Sequence, residues 1–282
     1  MESQTLYLRM FQQRQQYSME KVKTKGIVIF SMMLIFVGCS KNLNDVDYVN
    51  ISQELMVSLG QNLTDEGGKP TIILESNQVF ECSNVDINFS KIETNENIQI
   101  DINDIVIPQP NECLQPGKSA KLSLQLNKIS GKRKLQFLLR NTVSNTGEIE
   151  ITEDKMILRI FDQNGIDIGT NNLNFIPRNT IFGKISLDSL NNSEEKSEIM
   201  DFIKAISISN FKPKPGNYGH FFVGFDDEIV FFEFNINSEN VINFFIQVDH
   251  VDPRVEELQQ FLGTYHKLSY EITTWNGLMF KQ

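Results

Sequence analysis

Apolar and polar residues alternate along much of the chain between Thr71 and Gly169. Ile98, Ile100 and Ile102 are separated by Gln99 and Asp101, and Leu122, Leu124 and Leu126 by Ser123 and Gln125. A period of two places every second side chain on one face of an extended strand, so each run is expected to bury one face. Strands are predicted over 98–107, 120–126, 135–139, 148–152 and 156–161. Turn chemistry falls at Pro116-Gly117, Ser130-Gly131, Asn145-Thr146-Gly147 and Asn164-Gly165, and no helix-length amphipathic run intervenes.

The pattern changes beyond Asn171. Ser193–Ile206 reads as a helix, with Ser193 as N-cap, Glu194 and Glu195 in the first turn, and Ile199, Phe202, Ile203 and Ile206 on one stripe. Three phenylalanine-rich runs, 220–225, 228–235 and 241–249, read as a meander. Phe221, Val223, Phe225, Val230, Phe232, Phe234, Ile242, Phe244, Ile246 and Val248 are expected on one side of it. Phe222, Phe231 and Phe245 make the other side partly apolar, so that side needs a cover as well. Asp252 as N-cap and Pro253 at the first helical position begin a second helix that stops at Gly263, and a strand follows near 268–275. The fold class expected is therefore mainly β: an N-terminal immunoglobulin-like β-sandwich over 71–170, then a smaller α+β domain over 171–282. The single tryptophan, Trp275, lies outside the sandwich, so this is an architecture without a family behind it.

The first forty residues follow a different logic. Lys21, Lys23 and Lys25 precede an apolar run from Ile27 to Val37, then Gly38 and Cys39. At about 1.5 Å per residue that run covers roughly 17 Å as a helix, well short of the roughly 30 Å of bilayer hydrocarbon. It therefore reads as the apolar stretch of a signal peptide, not as a membrane span. Phe36-Val37-Gly38-Cys39 resembles the lipobox of bacterial lipoproteins. That resemblance implies cleavage before Cys39, diacylglycerol on its thiol and an acyl chain, such as palmitate, on its new amino group. It also implies a membrane as partner and a place in the cell envelope. Ser40 in the position after the cysteine favours the outer membrane over the inner. Phe36, where the family more often has Leu, departs slightly from the pattern. Residues 1–38 are then signal peptide, and polar, glutamine-rich 1–18 fit no part of one, so translation is expected to begin at Met19. Residues 39–70, mostly polar with Leu55, Met56 and Leu59 at helical spacing, are expected to be a tether carrying one short helix.

Charge and cysteines narrow the classes. The chain has 26 bases and 36 acids; removing 1–39 takes away five and two, leaving 21 against 34, a net of −13. Such a body repels phosphate backbones, which excludes nucleic acid as an expected partner. The basic run of Lys128, Lys132, Arg133 and Lys134 reads as a solvated turn. With Cys39 assigned to lipid, Cys82 and Cys113 remain as an even pair, expected to be bonded in an oxidising compartment.

Chemistry is sparse. There are three histidines, His220, His250 and His266. Asp249-His250-Val251-Asp252 is the best cluster for a metal or a catalytic site, and an ordinary strand-to-helix turn with Asp252 as cap explains it better. Asp226-Asp227-Glu228 has the residue types for calcium at a position where a charged turn is expected. No phosphate-cradling glycine loop, zinc or nucleophile motif occurs, and no cofactor is expected. The expected function is a non-enzymatic envelope protein with a protein or glycan partner. A hydrolase of envelope or extracellular polymer, working around His250 and Asp249, is the alternative.

Overall fold

Strands dominate the described residues because the period-two segments bury one face and pair with neighbours along their edges. The computed structural model describes Tyr48 to Gln282, except residues 50–54, 110, 115–116, 191–192, 209–210, 233, 235–239 and 266–267. In chain order the elements are β1 (Tyr48–Val49), β2 (Leu55–Thr64), β3 (Gly67–Phe80), β4 (Asp86–Glu93), β5 (Asn97–Val106), β6 (Lys118–Gln125), β7 (Gly131–Leu139), β8 (Val143–Ile151) and β9 (Lys155–Ile160). There follow β10 (Ile166–Ile168), β11 (Asn172–Asn174), β12 (Thr180–Ser186), α1 (Ser193–Ile206), β13 (Gly216–Asn217), β14 (Phe221–Val223) and β15 (Ile229–Phe231). The last are β16 (Val241–Gln247), α2 (Val251–Gly263), β17 (Ser269–Thr274) and β18 (Met279–Lys281). The protein is mainly β, and Val46–Gln282 gathers as one compact unit.

Two sheets make up the first part. One has seven strands in the order β1-β5-β7-β8-β9-β11, with β4 on the far edge of β5; the other has four, β10-β2-β3-β6. Their inward faces meet in one hydrophobic core, to which β2 and β3 bring Leu55, Val57, Leu59, Ile72 and Leu74, and the larger sheet brings Ile98, Ile100, Ile102, Leu135, Phe137, Ile149 and Leu158. The pairing is not wholly antiparallel as expected, since β5 runs parallel to β7 and β10 parallel to β2. β6 pairs with β3 in the smaller sheet, so the chain changes sheet between β5 and β7 and returns in the same direction.

Three expectations are corrected here. The segment expected to be a tether with a short helix is, from Leu55, strand: Leu55, Val57 and Leu59 are fully or almost fully buried at a period of two, while Met56 is half-buried. Asn145-Thr146-Gly147 is not a turn but the middle of β8. Asn145 is buried; its Nδ2 donates to the Asn164 carbonyl at 3.1 Å and its Oδ1 accepts from the Asn164 N–H at 2.6 Å, and the true reversal is at Arg140 and Asn141, both at positive φ. Lastly, Arg133 is no solvated residue. Its side chain is 1 % exposed and its Nη1 donates to Glu93 Oε1 at 2.6 Å, while Lys91 Nζ reaches Glu93 Oε2 at 2.9 Å. Asn127 N–H also donates to Glu93 and its carbonyl accepts from Arg133 Nη2, so this charged cluster ties β4 and β7 of one sheet to the end of β6 in the other.

The second part starts at Ile176, because β11 and Phe175 still belong to the first core. A four-stranded antiparallel sheet, β16-β12-β17-β18, carries α1 and α2 on one face. Ile199, Ile203, Val255, Leu258 and Leu262 pack there on Ile181, Ile185, Ile242 and Ile272. Its other face carries Phe182 and Phe245, covered by Phe221 and Val223 of a small sheet, β13-β14-β15, and by Tyr218 in the β13–β14 connection. Both faces are thus covered as the phenylalanines required, though not by a meander: β16 pairs with β12 instead of β15. The facing sets also differ, since Phe225, Phe232 and Val230 point to solvent and Phe231 packs inward.

Burial alone would push the Glu93 carboxyl up, yet hydrogen bonds from Lys91, Arg133 and the Asn127 backbone hold it below the usual carboxylate range. A carboxyl with a depressed folded pKa stabilises the fold above its unfolded pKa of 4.5 and loses that contribution as pH falls through the folded value. Arg133→Met is expected to destabilise by about 3 kcal/mol in urea unfolding, since it removes one of the two cations that pair a buried carboxylate. Adding Glu93→Leu is expected to restore most of that loss and to flatten the stability profile below pH 4.5. A single variant as stable as the parent would show that the cluster contributes nothing.

Candidate functional site

The Asp249–Asp252 cluster does not converge. Asp249 is exposed, and its carboxylate is gripped by the Arg254 fork, Nε to Oδ1 at 3.0 Å and Nη2 to Oδ2 at 3.3 Å. Arg254 also donates to Glu257 at 2.7 Å. His250 is exposed and is itself the N-cap of α2, without a side-chain capping bond; Asp252, expected as the cap, lies inside the first turn. Pro253 fits there too, because first-turn N–H groups have no acceptor within the helix. The Arg254 guanidinium, aided by the His250 backbone N–H, pulls the Asp249 carboxyl down to about 2. A carboxylate so occupied is a poor base and a poor metal ligand. Among the described residues no group of three or more His, Cys, Asp or Glu is placed to hold a metal ion.

Asp226, Asp227 and Glu228 form a turn: Gly224 N–H reaches the Glu228 carbonyl at 2.8 Å, and Asp227 takes a φ of 64°. His266 and Cys39 lie outside the described residues. Cys82 and Cys113 are bonded to each other, with Cα atoms 5.0 Å apart.

The place where side chains do converge is one the sequence left unmarked. Where the tip of the β2–β3 hairpin meets the second part, a cavity of about 200 Å³ is lined by Asn62, Leu63, Phe182, His220, Phe234, Glu271 and Thr273, among others. Glu271 and Thr273 stand on β17, 6 % exposed each, and Phe182 is on the neighbouring β12. His220 precedes β14, and its Nε2 lies 3.1 Å from the Gln61 carbonyl, which can only accept, so that ring nitrogen carries the proton. Gln61 in turn receives the Ile176 N–H on its side-chain oxygen at 3.0 Å, which locks the hairpin to the start of the second part. Beyond His220 a second hollow of about 310 Å³ runs over Thr71, Lys121, Ser123 and Gln125 on the solvent face of the smaller sheet. The histidine therefore stands in the wall between two concavities.

Carboxylate, amide, hydroxyl and imidazole in one small cavity offer hydrogen bonds, and the two phenylalanines offer an apolar surface. That combination suits a small polar ligand with one hydrophobic side. No local signal could have found it, because its members come from segments as far apart as Asn62 and Glu271, and His220 beside Gly219 reads as an ordinary strand start. A broader concavity of about 720 Å³ lies on the outer face of the seven-stranded sheet, between Ile92 and Phe161, over Gln99, Lys134, Gln136 and Glu148.

No family model matches this chain, and no curated protein or solved structure does either.

Replacing Arg254 by Ala is expected to return the Asp249 carboxyl from about 2 towards 3.8, read by NMR titration of its carboxyl carbon. An Asp249 that still titrates near 2 in that variant would mean that another group holds it down.

Proposed function

We propose that this chain is an exported bacterial lipoprotein, held to the outer membrane by lipid on Cys39, whose folded body binds a partner and catalyses no reaction. The observation that carries the reading is the Cys82–Cys113 bond. Of three cysteines it uses two, which leaves Cys39 alone, at the end of a basic and apolar leader, as the thiol for lipid. A bridge is also what an oxidising compartment sustains. Binding is supported by the cavity at His220, Glu271 and Thr273 and by the exposed groove around Ile92 and Phe161, surfaces that fit a small polar molecule, a glycan or a protein segment. The hydrolase alternative would use Asp249 and His250 together, and the Arg254 ion pair on Asp249 favours the binding reading over it.

We read the two sheets of the first part as an immunoglobulin-like sandwich and the second part as an α+β domain docked on it. Separate hydrophobic cores, divided between Phe175 and Ile176, support that division. The parallel β5–β7 pair is the main departure from the immunoglobulin pattern.

Cys39→Ala is expected to move the protein from the membrane fraction to the soluble one, because the acyl chains are what hold it. A variant that stays bound refutes the anchor. Thiol labelling of the unfolded, unreduced mature protein should find neither Cys82 nor Cys113 free. With the two cysteines 31 positions apart, reduction is expected to cost about 3 to 4 kcal/mol and to lower the thermal midpoint by about 10 °C.

A further inference from the structure

The described chain begins at one particular end of the seven-stranded sheet. Tyr48 lies opposite Val106 and Val49 opposite Ile105, antiparallel, so β1 begins at the end where β5 finishes. β4 starts there too, with Asp86 opposite Val106, and in the other sheet β3 finishes at Phe80 opposite Lys118, where β6 starts. The Cys82–Cys113 bond joins the two connections that leave this end. Nine residue steps separate Cys39 from Tyr48, a span of at most about 32 Å when fully extended. A lipid on Cys39 therefore keeps this end within about 32 Å of the bilayer.

This end presents apolar side chains on a rigid frame. Leu114 is 74 % exposed and Val79 is 64 % exposed. Leu114 follows the bridged Cys113, and its N–H donates to Asn84 Oδ1 at 3.3 Å, while Asn84 Nδ2 donates to the Glu112 carbonyl at 3.0 Å. Gly117 N–H closes on the Phe80 carbonyl at 3.1 Å. A leucine held out by a disulfide and by hydrogen bonds on both sides gives up little conformational freedom when something covers it. The charges around it, Glu81, Asp86 and Glu112 against Lys118 and Lys121, are all exposed and nearly balance. The surface therefore suits a neutral lipid interface better than an anionic one.

We propose that this end rests on the bilayer that holds the Cys39 lipid, with Leu114 and Val79 seated at the headgroup–acyl boundary. The proposal rests on the lipid-anchor reading and adds an orientation to it. β3 runs 14 residues from this end to the hairpin tip, roughly 45 Å at about 3.3 Å per residue, so the His220 cavity at the tip faces away from the membrane.

The test uses the full-length lipidated protein in phosphatidylcholine vesicles with brominated acyl chains, which quench nearby tryptophan. Trp275, the sole native tryptophan, sets the baseline. Leu114→Trp is expected to show a blue-shifted emission and to lose most of its added signal to the brominated chains. Phe225→Trp, at a site 95 % exposed on the second part, is expected to lose none. Val79→Trp reads the same surface should the Leu114 change disturb the loop. Protein that stays on the vesicles while neither surface variant is quenched more than Phe225→Trp overturns the orientation and leaves the anchor standing. Quenching of Phe225→Trp overturns it too, since the body would then lie on its second part. Parent protein that floats free of the vesicles overturns both readings.

Discussion

The β2–β3 hairpin is the element on which the rest is seated. One face supplies Leu55, Val57, Leu59, Ile72 and Leu74 to the core between the two sheets, and burial of that apolar face is the main force joining them. Its tip carries the second part. Gly67 takes a φ of +100°, and a Cβ there would lie 2.8 Å from the Trp275 ring; at Gly68 a Cβ would overlap the Gln61 side chain outright. Two consecutive glycines let a turn serve as a docking surface, since the indole closes directly on backbone. Gly277 makes the reciprocal approach, to the Leu63 carbonyl. The hairpin thus belongs to one core along its length and to the junction at its end, so Val46–Gln282 packs as one unit with several hydrophobic clusters.

What could be read from the sequence was whatever depends on near neighbours. The runs at Ile98–Ile102 and Leu122–Gln125 are strands, and the helix at Ser193–Ile206 lies where its apolar stripe put it. The even cysteine pair is bonded. Errors arose where two periods fitted the same few residues. Leu55, Met56 and Leu59 match a helical stripe, while Leu55, Val57 and Leu59 match a strand, and only the partner β3 chooses between them. They also arose where residue type stood in for environment. Arg133 sits among lysines, a run that reads as solvated, yet its side chain turns inward to Glu93, forty positions earlier. Asn145-Thr146-Gly147 has turn chemistry, but Asn145 satisfies its amide on the backbone of Asn164, nineteen positions on. The cavity at His220 was illegible for a stronger reason, since it exists only because a hairpin tip, a loop and β17 come together over two hundred positions of sequence.

The parallel pairing of β10 with β2 sets an order of events for the nascent protein. Leu55 meets Ile166, and Gly169 N–H bonds to the Val57 carbonyl, so this edge of the four-stranded sheet is not closed until more than a hundred later residues exist. Chains grow at roughly 5 to 20 residues per second, so that interval is on the order of ten seconds. During it a long, apolar hairpin has backbone hydrogen-bonding groups open along one side, the condition under which strands pair with the wrong neighbour. β10 is therefore the strand whose arrival closes the open edge of β2 and ends the hairpin's exposure.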